Sequence, residues 1–205
     1  MIPKKIHHIW LGEKKYAYSA YRESWMKFHP NYEFYLWDEL NIPKNILKKE
    51  TIAIIEDSNV CPMSKSDSLR FDILRVMGGA YFDADMEALK CLDRMFDEND
   101  EFIGEIFPNV IGAGILGSIQ NGQWITKLSN KMNENILNNI DLVHNNFMRN
   151  LSICGTRSLR TELSECKKIY PMKIFYPNAS TLIDDAYTKH HFGYQIRSSY
   201  EQKGD

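Results

Sequence analysis

The chain has 205 residues, with 25 Lys and Arg against 27 Asp and Glu, a net charge of −2 and 43% hydrophobic residues. That is enough chain for one domain with a sizeable core, and the basic residues are spread out, so no basic stripe marks a nucleic-acid partner. No stretch approaches the ~18 apolar residues of a membrane span, and Cys61, Cys91, Cys154 and Cys166 lack the C-x-x-C spacing of a zinc site and read as reduced thiols of a cytoplasmic protein.

Met1 to Ile6 carries lysines but no apolar run after them, unlike a signal peptide. Ile6 to Leu11 reads as a buried strand closed by Gly12, and Tyr16 to Phe28 as a helix ended by His29-Pro30-Asn31. Tyr32 to Trp37 is aromatic and reads as a second strand, and Ile46 to Ile55 is weakly helical. The best-marked helix begins at Ser64. Ser64 and Asp67 have capping-box spacing, with Asp in place of Glu. Leu69, Ile73, Val76 and Met77 recur at helical intervals, and Gly78-Gly79 stops the helix. Ala80 to Phe82 is a short strand. Glu101 to Phe107 and Val110 to Leu116 are two more, separated by Pro108-Asn109. Gln123 to Leu137 reads as an amphipathic helix, Asp141 to Leu151 as a weaker one, and Met172 to Tyr176 as a late strand. The tail beyond Tyr187 is polar and aromatic. Strands alternating with helices predict an α/β fold, with no repeat or linker to divide it.

Chemistry concentrates after the Ala80–Phe82 strand, at Asp83 and Asp85. In a straight strand, residues two apart lie about 6.6–6.8 Å apart on one face. A hard cation wants its oxygens within ~2.0–2.6 Å. The two carboxylates can share a cation only if the chain bends there; otherwise they are solvated turn residues. Asp67 and Arg70 stand at i and i+3 on one helix face. They read either as a helix-end ion pair at the surface, worth at most ~1 kcal/mol, or as groups that hold sugar hydroxyls and phosphate oxygens. Trp10 is either core or a platform for a nucleotide base. His190 and His191 are either solvated tail residues or a nitrogen ligand that completes a metal site.

Four blocks carry a resemblance: Pro3-Lys4-Lys5-Ile6-His7-His8-Ile9-Trp10-Leu11-Gly12, Leu36-Trp37-Asp38, Ser66-Asp67-Ser68-Leu69-Arg70, and Gly78-Gly79-Ala80-Tyr81-Phe82-Asp83-Ala84-Asp85. In this order and spacing they resemble glycosyltransferase family 32, sugar transferases with a D-x-D motif. Clostridial toxin glucosyltransferase domains look like distant relatives. The match is dense over residues 3–88 and thin afterwards: the family's late S-W stands here as Ser198-Ser199-Tyr200, and its G-P as Gly155-Thr156.

The resemblance implies a GT-A-like single domain over 1–205, a mixed, mostly parallel sheet flanked by helices. Residues 1–118 would form the nucleotide-sugar part and 119–205 the acceptor side. It implies a retaining hexosyl transfer with Mn2+ or Mg2+. Trp10, Asp67, Arg70 and Asp83 would bind the donor, while Asp83, Asp85 and a late His, with His190 preferred to His191, would hold the metal. The catalytic nucleophile is left unassigned. The implied donor is UDP-linked in preference to GDP-linked, and the acceptor a saccharide or a lipid-linked one. The setting it implies is bacterial capsule or other surface-polysaccharide synthesis, in the cytoplasm or at the inner face of the membrane with peripheral contact. Two rivals stay open: a metal-dependent phosphatase with an aspartyl nucleophile, and a catalytically inactive sugar-nucleotide binder.

Overall fold

The computed structural model describes residues 1–12, 16–140, 156–177 and 183–191. Its centre is a six-stranded sheet. Strand β1 (Lys5–Ile9) is flanked in parallel by β2 (Glu33–Trp37) and β3 (Gly79–Phe82). Beyond β3 come β6 (Val110–Ser118) and β5 (Glu101–Phe107), which form an antiparallel hairpin with β6 beside β3. The two-residue β7 (Ile169–Tyr170) closes the far edge, parallel to β5. The sheet is therefore mixed, with three parallel and two antiparallel pairings. A separate two-stranded ribbon pairs β4 (Met86–Ala88) with β8 (Thr188–His190).

Two cores cover the two faces of the sheet, as alternating side chains demand. One lies under α2 (Lys49–Glu56), α3 (Pro62–Met77), α5 (Gln123–Leu137) and α6 (Arg160–Ser164), with Leu69, Ile73, Tyr81, Leu116, Leu128 and Leu163 inside it. The other lies under α1 (Tyr16–Phe28), α4 (Asp93–Glu98) and α7 (Met172–Phe175). It holds Trp25, Phe82, Phe96, Phe102 and Phe175. The Trp25 indole N–H donates to the Met86 carbonyl at 2.8 Å and so ties α1 to the ribbon.

The expected helices over Tyr16–Phe28 and Gln123–Leu137 form with those bounds. Others differ for physical reasons. α3 starts at Pro62, not Ser64, because proline is well placed in a first turn, where its missing N–H costs nothing. Cys61 occupies the cap position and makes no side-chain capping bond, so the Ser64/Asp67 capping box does not form and Asp67 lies inside the helix. Met172–Phe175 is one helical turn rather than a strand. The short apolar run fits either period, and Ile169–Tyr170 takes the sheet edge instead. β4 and α4 had no sequence signal strong enough to anticipate. The expected helix over Asp141–Leu151 lies outside the described residues, as do Gly155 and Ser198–Tyr200.

The double glycine makes the turn from α3 into β3 possible. Gly78 and Gly79 have φ of +62° and +96°, in the region that favours glycine. A Cβ on Gly79 would sit 2.6 Å from the Lys5 carbonyl, so β3 could not approach β1 with any larger residue there.

Two histidines of β1 are wholly buried and point to opposite faces. His7 donates through Nε2 to the Gly78 carbonyl at 2.9 Å and accepts from the Trp37 indole at 3.2 Å. His8 donates through Nδ1 to the Phe82 carbonyl at 2.8 Å. Burial pushes both down to about 4, against their backbone hydrogen bonds. Neutral in the fold and protonated in the open chain, each contributes stability that is complete above pH 6.5 and lost as pH falls toward 4. Asp67, lifted to about 6, acts oppositely below that pH. His190, lifted to about 9, likewise opposes the loss, and the two buried histidines outweigh both, so stability should fall by about 1–2 kcal/mol between pH 7 and 5. Denaturant unfolding at the two pH values checks this, and unchanged stability at pH 5 would contradict neutral, buried imidazoles.

Candidate active site

Asp83 leaves β3 at its carboxyl end and enters a tight turn, in which the Met86 N–H donates to the Asp83 carbonyl at 3.0 Å. This is the bend that the i, i+2 carboxylates need. Three potential ligand atoms, from Asp83, Asp85 and His190, lie within 4.8 Å of one another. The His190 Nε2 is 3.2 Å from Asp85 Oδ1 and 3.7 Å from Asp83 Oδ2. The tail histidine arrives there because β8 pairs with β4, placing His190 opposite Met86. Burial disfavours the charged imidazole, yet hydrogen bonds and charge from both Asp outweigh it and lift His190 to about 9.

His191, one residue on, faces elsewhere. Its backbone N–H donates to the Asp85 carbonyl at 3.0 Å, but its Nε2 lies 3.0 Å from Glu87 Oε2 and its ring stacks on Tyr21 at 4.4 Å. Successive residues at a strand end point to opposite sides, so one histidine meets the acidic pair and the other braces the ribbon against α1.

On the other side of Asp83 stands Arg70. Its Nη2 is 2.9 Å from Asp67 Oδ1, its Nη1 donates to the Ala113 carbonyl at 2.6 Å, and the same Nη1 is 3.7 Å from Asp83 Oδ1. Its guanidinium lies over the Tyr81 ring at 4.5 Å. The side chains of Arg70 and Asp67 are only 8% and 12% exposed. The surface-pair reading is therefore replaced: this is a buried pair, one helical turn deep. Burial raises the Asp67 carboxyl despite Arg70, while nearby carboxylates and tyrosines keep Arg70 charged. Tyr81 donates to Asp83 Oδ1 at 2.8 Å. Trp10 continues β1 at the same end of the sheet, half-buried, its backbone N–H donating to the Trp37 carbonyl at 2.9 Å.

Two carboxylates and an imidazole at these separations fit a divalent ion of the manganese or magnesium kind. Manganese is the more tolerant of nitrogen. Neutral at the His190 ring and ionised at both Asp, the set would bring two negative charges to the cation. Sequence reasoning assigned no role to Tyr81, which stands inside the D-x-D block, or to Tyr176, whose ring lies 5.5 Å from that of His190.

The site sits where ligands bind in α/β sheets, at the carboxyl ends of the parallel strands β1 and β3. The fold is that of the GT-A glycosyltransferases, and the family match and relatives that follow indicate a glycosyltransferase. Residues 17–102 match the family described as the glycosyltransferase sugar-binding region containing a DXD motif. An uncharacterized glycosyltransferase, L373, of Acanthamoeba polyphaga mimivirus is 26% identical over 197 residues, covering 91% of this chain and 72% of that protein. Inositol phosphoceramide mannosyltransferase 3 of Schizosaccharomyces pombe is 26% identical over 118 residues, 57% of this chain. The match spans only 33% of the fission-yeast protein's length. Among solved structures, the PaToxG glycosyltransferase superposes with a TM-score of 0.58 at 18% identity, over 80% of this chain and 70% of that one, a likeness of fold.

Proposed function

We propose that the protein transfers a hexose from a nucleotide sugar with retention of configuration, and that Asp83, Asp85 and His190 hold a divalent cation on the donor diphosphate. The convergence of those three side chains across the β4–β8 ribbon carries the proposal. A bound cation would supply Lewis-acid stabilisation of the leaving diphosphate, where negative charge grows. The chain's own residues do the rest. Asp67 accepts hydrogen bonds from sugar hydroxyls, and its bond to Arg70 fixes its rotamer. Arg70, anchored on the Ala113 carbonyl, keeps positive charge beside Asp83. Tyr81 holds the Asp83 carboxylate in one orientation. Trp10 offers a flat face for the base. Residues 1–118 hold the donor and 119–205 serve the acceptor side.

A UDP-linked donor remains preferred to a GDP-linked one, with Mn2+ or Mg2+ as the cation. The fission-yeast relative is named as a mannosyltransferase acting on inositol phosphoceramide, which supports a lipid-linked acceptor. Among the described residues no helix is long and apolar enough to cross a membrane. We place such an acceptor at a membrane surface that the protein visits peripherally, in bacterial surface-polysaccharide synthesis.

The test is nucleoside diphosphate release from a panel of UDP- and GDP-hexoses with manganese present. We expect release from at least one donor, stopped by chelator, with a product that keeps the donor's anomeric configuration. Phosphate release from a simple phosphoester instead would favour the phosphatase reading. Binding without turnover across the panel and many acceptors would favour an inactive binder.

A further inference from the structure

We infer that Tyr176 is a donor-binding residue of this site, its hydroxyl hydrogen-bonding an oxygen of the sugar diphosphate next to Asp83. The inference rests on the nucleotide-sugar reading above. Tyr176 is 6% exposed, yet none of the hydrogen bonds among the described residues uses its hydroxyl. A buried tyrosine ordinarily satisfies that group. Here the hydroxyl lies near Asp83 Oδ2, whereas Tyr81 bonds Oδ1. A Cβ on Gly114 would lie 2.5 Å from the Tyr176 hydroxyl and 2.5 Å from Asp83 Oδ2, so both oxygens flank one bare point of β6. The Asp83 N–H also donates to the Gly114 carbonyl at 2.9 Å, which fixes the carboxylate's backbone against that point.

The element that carries Tyr176 is bound to the element that carries His190. Tyr187 N–H donates to the Ile174 carbonyl at 2.7 Å, and the Thr188 hydroxyl to the Phe175 carbonyl at 2.8 Å. One rigid unit thus presents a metal-type ligand and a phenol to the same carboxylate. Their chemistries are complementary. Ionised Asp83 and Asp85 only accept hydrogen bonds, and the Arg70 Nη groups already serve Asp67 and the Ala113 carbonyl. A phenol carries its proton at neutral pH and so offers a donor. Phosphate and hydroxyl oxygens are the ligand chemistry it fits.

Tyr176→Phe removes one oxygen and keeps the ring's packing. We expect kcat/KM for nucleotide-sugar hydrolysis to fall roughly 10- to 100-fold, the cost of a hydrogen bond to a charged group left unmade. Manganese affinity should stay within about twofold of wild type. A parallel fall in affinity for the free nucleoside diphosphate would assign the contact to phosphate. Unchanged affinity with reduced turnover would assign it to the sugar. Gly114→Ala should differ, losing manganese binding as well, because its Cβ displaces Asp83 and Tyr176 together. Wild-type turnover and wild-type nucleoside diphosphate affinity in Tyr176→Phe would overturn the inference. So would loss of manganese binding in that variant, since the phenol would then be a structural prop for Asp83. If the wild-type protein turns over no donor on the panel, the donor reading fails by itself. Diphosphate affinity then decides for Tyr176, and equal affinity in the two proteins overturns it.

Discussion

Asp85→Asn should lose at least about 100-fold in donor turnover while staying folded. The substitution keeps the volume and the turn between β3 and β4, whose Asp83–Met86 hydrogen bond is between backbone groups. It removes the negative charge that lies 3.2 Å from the His190 ring. Asp85 makes no part of either apolar core, so thermal melting should move by only a few degrees, roughly the effect of ~1 kcal/mol. Steady-state kinetics with manganese, beside a melting curve, check both halves. Wild-type turnover would remove Asp85 from the reaction.

Arg70→Ala should have the largest effect on stability in the site, about 3–5 kcal/mol. Truncation strands Asp67 in a buried position, removes the cation beside Asp83 and leaves the Ala113 carbonyl without its donor. Arg70→Lys should recover only part of the loss, because an ammonium cannot span Asp67 and Ala113 as the planar fork does. Denaturant midpoints of the three proteins test this, and a loss below about 1 kcal/mol would return the pair to the surface class. Because Arg70 is so deeply embedded, its removal cannot isolate sugar holding. Asp67→Asn can, since it keeps the shape and one acceptor. Turnover should fall steeply there, with nucleoside diphosphate affinity almost unchanged.

The front of the molecule was legible because its signals are local. Trp10, Asp67, Arg70, Asp83 and Asp85 all lie within three of the four short blocks, and the parallel pairing of β1 with β3 brings Trp10 and the acidic pair to one end of the sheet. The need for a bend at Asp83 followed from strand geometry, and the turn supplies it. What sequence could not weigh was depth. Asp67 and Arg70 have the i, i+3 spacing of a surface pair. Only packing against β6 and Tyr81 shows them to be buried. The choice between two adjacent histidines depended on the β4–β8 register, which pairs Met86 with His190 and leaves His191 to Glu87 and Tyr21. Tyr176 had no local signal at all. It enters through a one-turn helix that read as a strand and through the missing side chain of Gly114.

The central claim is that the turn after β3 and the strand β8 build one cation site between them. Manganese binding in the presence of a nucleoside diphosphate, followed by the paramagnetic resonance signal of the free ion, measures this directly on wild type and on His190→Ala. The account predicts one ion per chain in the wild-type protein. It predicts at least about 10-fold weaker binding in the variant, since even residues that merely support a ligand cost 10–100-fold. Identical manganese affinity in the two proteins, or no binding in either, would contradict it.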